Sequence, residues 1–244
     1  MGLLPENKRK KPMDTPRTFF IWGATMSGKS YLAERFPNPF FINTDDNAEK
    51  AGLPNYQLKN IKNPDGSIKQ TVIDQLNELL LELGTTKHTY ETVVIDVIDD
   101  VVSLIEQAVI DENKVKDLSE IGYGKGYAQV KATLMALILE LKALPMNVVY
   151  VSRIDEKSDD AGNQIEVPSL KTKYYNMVNG NADLVVKTRR IGSNYTRQLT
   201  DKRKQYERDQ ITDQHVLRIL ENIPGVFPRL PKAPVTKPTT NTTK

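Results

Sequence analysis

Apolar residues in this chain fall into two alternating patterns: short unbroken runs, and longer stretches at helical spacing. Thr18-Phe19-Phe20-Ile21-Trp22 is one run and Phe40-Phe41-Ile42-Asn43 a second. Thr92-Val93-Val94-Ile95 and Asn147-Val148-Val149-Tyr150-Val151 are a third and a fourth. Runs this short, rich in β-branched and aromatic residues, predict strands covered on both faces. Between them, Val72, Ile73, Leu76, Leu79, Leu80 and Leu83 recur at helical spacing, with Gly84 closing the helix. Further helices are predicted at about 99–110 and 128–144, the latter ending before Pro145, with a short one near 171–179. Strands at about 182–190 and 195–200, joined at Gly192-Ser193-Asn194, make a hairpin. The alternation predicts an α/β fold, a mostly parallel central sheet flanked by helices with a C-terminal β-hairpin.

The ends of the chain lack this patterning. Residues 1–16 hold three prolines and the basic run Lys8-Arg9-Lys10-Lys11, and read as a disordered arm. The stretch 222–244 is rich in proline and threonine and reads as a second disordered segment, leaving 17–221 as one folded domain. Charge divides the same way. The net charge is +3, yet residues 1–17 carry five basic and two acidic side chains, and 222–244 four basic and none acidic. Residues 18–221 therefore hold −4, so the basic balance is no argument for nucleic-acid binding by the domain. With no cysteine, disulfide scaffolds, thiolate metal sites and cysteine nucleophiles are excluded, and only two histidines, His88 and His215, argue against a histidine-rich zinc site. No apolar run approaches membrane-spanning length and no signal-type segment opens the chain, which predicts a cytoplasmic protein without membrane contact.

The first strand leads into Gly23-Ala24-Thr25-Met26-Ser27-Gly28-Lys29-Ser30, which fits G-x-x-x-x-G-K-[ST]. Tyr31 to Phe36 supplies one or two helical turns before Pro37 and Pro39. Strand, glycine-rich turn and helix form the context in which backbone N–H groups cradle phosphates. Lys29 would then reach the β/γ-phosphates and the Ser30 hydroxyl a Mg²⁺ ion. Val93-Val94-Ile95-Asp96 supplies the companion acid for Mg²⁺; Asp99 and Asp100, after the strand, read as helix N-terminal acids. Ligands of open parallel sheets lie beyond the carboxyl ends of the strands, which places Ser30, Asp45, Asp96 and Ser152 along one edge. Asp45 reads either as the group activating water or, with Asp46, as a turn residue. Ser152 reads as a γ-phosphate sensor or as the start of a turn. No Asn-Lys-x-Asp segment supports guanine and no Leu-Ser-Gly-Gly-Gln signature is present, so ATP is the default nucleotide.

Taken in order, these residues resemble the RecA-like P-loop ATPases. More narrowly they resemble phage AAA-domain nucleotide-binding proteins of the single-strand annealing and recombination type, over about 18–208. The residues carrying the likeness are Trp22-Gly23 through Ser30, Phe41 to Asp45, Val94-Ile95-Asp96, Gly122 to Tyr127 and Val149 to Ser152. The resemblance implies ATP and Mg²⁺ as cofactors, a homo-oligomer (ring or filament), and a host-cytoplasmic location if phage-encoded. It implies water activation by Asp45 and γ-phosphate sensing by Ser152, although these positions more often hold Glu and Gln. Two DNA-contacting loops fall at about 113–127 and 153–168; the second carries Asp155, Glu156, Asp159 and Asp160, which disfavour phosphate contact. Lys202 and Arg203 resemble cations that act across subunit interfaces. An ATP-dependent recombination factor on single-stranded DNA is the leading expectation, with Tyr123, Lys125 and Tyr127 contacting the strand and a single-strand-binding protein as a candidate partner. The alternatives are a nucleotide-dependent switch or loader for a protein partner, and a small-molecule kinase with the basic hairpin as lid.

Overall fold

The computed structural model describes residues 15–45 and 47–228. The N-terminal arm through residue 14, Asp46 and the tail from residue 229 lie outside the described residues. In chain order the elements are β1 (Thr18–Gly23), α1 (Lys29–Ala33), β2 (Pro39–Asn43), α2 (Asn47–Lys50) and β3 (Asn55–Gln57). Then come β4 (Ile61–Lys62), β5 (Ile68–Gln70), α3 (Val72–Thr85), β6 (Thr92–Asp96), α4 (Ile98–Glu112) and α5 (Lys125–Ala143). The chain continues through β7 (Asn147–Ser152), β8 (Ile154–Ser158), β9 (Gln164–Pro168), α6 (Thr172–Asn181), β10 (Leu184–Ile191), β11 (Asn194–Lys202) and α7 (Gln214–Glu221).

Seven strands form the central sheet in the order β11-β10-β1-β7-β6-β2-β3, parallel throughout except for β11. Residues of β1, β6 and β7 are buried on both faces, which is why they read as unbroken apolar runs. Phe20, Trp22, Val93, Ile95, Val148 and Tyr150 face a core shared with α3, α4, α5 and α6. Phe19, Ile21, Phe41, Val94, Val149 and Val151 face α1 and α7. Period-two alternation thus assigns every strand-end residue to one face or the other.

Local chemistry sets several boundaries. Helix α3 starts at a capping box, the Thr71 hydroxyl accepting from Asp74 N at 3.1 Å and the Asp74 carboxylate from Thr71 N at 2.9 Å. It passes through Gly84 instead of stopping there and ends at Thr85. Helix α5 begins at Lys125, three residues before the predicted start, because Tyr123 and Gly124 adopt left-handed φ of 58° and 72° and turn the chain into it. The β10–β11 hairpin has Ile191 opposite Asn194, with Gly192 at φ 61° in the connection.

Three stretches differ from the sequence expectation. The segment 153–168, expected to be a loop, is the antiparallel hairpin β8–β9. Its Glu166 carboxylate accepts from Lys187 Nζ at 2.6 Å and from Arg189 at 2.5 Å, tying it to β10. Helix α7 is an element that the sequence pattern does not predict. Val216, Ile219 and Leu220 form its buried stripe, and the Asp213 carboxylate caps it through His215 N and Val216 N. Packing also continues past Glu221, with Ile223 and Val226 buried against the α1 face, so part of the expected tail belongs to the core. No helix among the described residues is long and apolar enough to cross a membrane.

Candidate nucleotide site

The site begins where β1 runs out. Gly23 pairs with Thr188 of β10, and a Cβ there would strike the Thr188 carbonyl and hydroxyl, so only glycine fits. Ser27 is buried, its hydroxyl 2.7 Å from that of Thr188, and its N–H donates to Ala24 O at 3.1 Å, closing the loop. Met26, with φ 61° and its side chain in solvent, and Gly28, with φ 88°, then turn the chain into α1. Thr25, just before Met26, sits at the exposed crest.

Lys29 is buried and donates to the carbonyls of Gly23 at 2.9 Å and Ala24 at 2.8 Å. Burial pushes its ammonium below the usual lysine range, partly offset by attraction to Asp96. The Ser30 hydroxyl donates to the Asp96 carboxylate at 2.6 Å. Burial pushes Asp96 up; the Ser30 hydrogen bond and Lys29 pull it back, while Asp45 adds to the rise. A lysine whose hydrogen-bond partners among the described residues are carbonyls, a serine hydroxyl and the desolvated carboxylate it donates to are three groups suited to a phosphate and a hard cation.

The neighbouring strand ends show what alternation decides. Asn43, the last residue of β2, sits opposite Asp96 in register and faces α1 as Phe41 does. It is almost fully buried, and its Oδ1 has no hydrogen-bond partner among the described residues. Its Nδ2 donates to the Asp45 carbonyl. The Asp45 carboxylate accepts from Asn47 N at 3.0 Å and from the Asn47 side chain at 2.6 Å, so it caps α2. It remains close enough to affect both Asp96 and Arg153 electrostatically.

Ser152 follows Val151 and therefore faces the opposite side of the sheet from α1. Its hydroxyl donates to Asp99 at 3.0 Å and to Arg153 O at 3.2 Å, away from the phosphate loop. The next residue does reach the site. Arg153 grips Asp100 with two hydrogen bonds of 2.6 and 2.7 Å, and its charge is felt by both Lys29 and Asp96. Asp100 also accepts from the Thr44 hydroxyl at 3.0 Å and is held below the usual carboxylate range, mainly by Arg153. Asp99 accepts from Ser152, Ser169 and Arg153 N. The two acids at the start of α4 thus lock together the ends of β2 and β7.

Asn43 and Arg153 have no role in the sequence expectation. The signal for both is nonetheless in the chain: each lies an even number of positions from a residue facing α1.

Other expected residues lie apart from the phosphate loop. Tyr123 is wholly exposed, Lys125 is exposed, and Tyr127 is partly exposed with Lys173 Nζ 4.5 Å from its ring centre; all three sit at the start of α5. Lys202 and Arg203 lie at the end of β11, paired with the beginning of β10, at the end of the sheet opposite the phosphate loop. Lys202 Nζ donates to Gln205 at 2.7 Å and Gly225 O at 3.0 Å. Arg203 donates to Gly180 O at 2.6 Å and pairs with Asp183 at 3.4 Å. Both cations are occupied within their own chain.

A parallel sheet with a glycine-rich turn after its first strand, and with β7 inserted between that strand and the one bearing Asp96, defines a P-loop nucleotide-binding protein. Within that class, the family model of the AAA domain matches residues 15–216, and the chain belongs to that family. A search of curated proteins returned no match to the sequence.

Proposed function

We propose that the protein is a Mg²⁺-dependent ATPase that works as a homo-oligomer on single-stranded DNA in recombination. The observation that carries the catalytic part is the convergence of Lys29, Ser30 and Asp96, with Ser30 Oγ 2.6 Å from Asp96. When bound, Mg²⁺ would neutralise charge developing on the transferred phosphate; Ser30 and Asp96 would hold it, the latter directly or through water.

Lys29 would leave the Gly23 and Ala24 carbonyls for the phosphates. Arg153 is the better-placed γ-phosphate sensor than Ser152, because it lies beside the site and can exchange its partner Asp100 for a phosphate. Asp45 and Asn43, at the end of β2 beside Asp96, are the groups assigned to orienting an attacking water. For the DNA part, the support is the resemblance together with the exposed Tyr123, Lys125 and Tyr127 at the start of α5, a combination suited to base stacking beside a phosphate.

A switch or loader acting on a protein partner is the second reading. It is favoured by the folded hairpin β8–β9, whose exposed Glu156 and the adjoining Asp160 present acid where a DNA loop was expected.

Phosphate release from ATP, measured with and without oligothymidylate, separates these readings. Turnover lost in Lys29→Ala and stimulated severalfold by the oligonucleotide is the expected result. Turnover indifferent to DNA removes the first reading, and γ-phosphate found on a metabolite points to the kinase.

A further inference from the structure

A second cluster of positive charge lies beside the phosphate loop on the outer face of the α1 layer. Arg35 follows α1, Arg197 stands on β11, and His215 and Arg218 project from α7; with Ile219 and Asn222 they line a recess of about 350 Å³ that opens to solvent. Among the described residues no carboxylate lines it. Of the acids on the surrounding elements, Asp213 caps α7 and Glu221 accepts from Arg208 at 3.0 Å, while Glu34 beside Arg35 is exposed and does not line the recess.

The state of these arginines sets them apart. Elsewhere in the domain arginines have acceptors: Arg17 has the Leu144 and Met146 carbonyls, Arg153 has Asp100, Arg189 has Glu166, Arg190 has Gly192 O, and Arg203 has Asp183. The guanidinium groups of Arg197 and Arg218 have no hydrogen-bond acceptor among the described residues. Arg197 is also half-buried beside the like charge of Arg35, and desolvation followed by that repulsion lowers its affinity for the proton. Among the described residues the Arg35 guanidinium donates only to the Tyr31 hydroxyl, and it lies 4.3 Å over that ring. Forked cations held together without a counter-ion, one of them partly desolvated, are complementary to an anion with several oxygens.

We propose that this recess is a second phosphate site, outside the P-loop, taking a phosphate group carried on a nucleotide or a nucleic-acid strand. Guanidinium groups arriving from β11, from α7 and from the end of α1 can each bond a different phosphate oxygen. The open mouth lets the rest of the ligand continue over the surface. Tyr31 and Tyr195, both about half exposed with ring centres 6.1 Å apart, lie next to Arg35 and offer an aromatic surface for a base. The site requires neither Lys29 nor Asp96, so it stands or falls independently of the ATPase reading.

The test uses full-length protein carrying Lys29→Ala, which disables the P-loop. Two probes are used: fluorescein-labelled oligothymidylate, followed by anisotropy, and inorganic tripolyphosphate, followed by calorimetry. Adding Arg197→Gln and Arg218→Gln together should weaken the oligonucleotide about tenfold or more. It should also flatten the slope of log affinity against log salt by about 0.7, the contribution of one phosphate neutralised on a single strand. Arg197→Lys should keep most of the salt slope while still losing affinity, since the charge stays and the fork goes.

If tripolyphosphate shows the arginine dependence and the oligonucleotide does not, the ligand is a free polyphosphate and the site is upheld for that source. If neither probe loses affinity on substitution, the proposal is overturned. Thermal midpoints of the variants control for folding; removing a desolvated, unpaired charge should leave them unchanged or raised.

Discussion

At the scale of single residues the site is governed by desolvation. Asp96 is partly buried and desolvation raises its pKa, so its charge opposes folding of the nucleotide-free protein at neutral pH. The sign follows from linkage: this carboxyl contributes most to stability below its unfolded value of 3.8, and the contribution is lost as pH rises through the higher folded value. Asp96→Asn should therefore raise the thermal midpoint of the nucleotide-free protein at pH 7 while abolishing Mg²⁺-dependent turnover; a lowered midpoint would contradict the assignment. In the wild type, Mg²⁺-dependent nucleotide binding should fail on acidification at a pH above that of an ordinary aspartate. Ser152 and Arg153 make a matched pair of tests. Ser152→Ala should cost about 1 kcal/mol of stability through the missing hydrogen bond to Asp99, with turnover close to wild type. Arg153→Ala should lower turnover by roughly 10²-fold if it stabilises charge on the transferred phosphate. Single-turnover kinetics on both variants would expose an inverted order.

At the scale of elements, legibility depends on whether the signal is local. The apolar runs of β1, β2, β6 and β7 and the stripe of α3 depend on burial along a contiguous segment, so their patterns survive in the sequence. The capping box at Thr71 is equally local, and Thr71→Ala should cost about 1 kcal/mol in chemical denaturation. The hairpin β8–β9 is unreadable because its strands have little apolar content. It is defined by cross-strand pairing and by Glu166 bridging to Lys187 and Arg189, more than twenty residues away. Glu166→Gln should leave the core intact but speed amide hydrogen exchange across 154–168, since it removes the charge that holds the buried Lys187 ammonium. Helix α7 escapes the pattern because it is short and follows a long basic stretch, although Asp213 and the Val216, Ile219, Leu220 spacing mark it once the fold is known.

At the scale of the molecule, a nucleotide binding only the folded protein stabilises it by mass action. At a hundred times the dissociation constant that amounts to about 2.7 kcal/mol, and for a domain of this size a rise of about 5–10 °C in thermal midpoint. ATP with Mg²⁺ should produce this shift in the wild type and not in Lys29→Ala. A shift with ATP and none with GTP would support adenine selectivity. Sedimentation with and without nucleotide would test the proposed oligomer, and whether Lys202 and Arg203 exchange their internal partners for a neighbouring subunit.

The phosphate loop is the feature that sequence alone determined, because its chemistry is carried by backbone geometry and adjacent side chains: glycines at fixed offsets, a lysine and a serine in one turn. Asp96 was legible for the same reason, standing at the end of its own apolar run. Which strand-end residues join them was decided only by tertiary structure. Strand order places β7 between β1 and β6, and alternation across the sheet turns Ser152 to the far face while admitting Asn43 and Arg153 to the near one. The arginines of the outer recess come from segments far apart in the chain, and no local pattern announces that Arg197 and Arg218 lack an acceptor among the described residues.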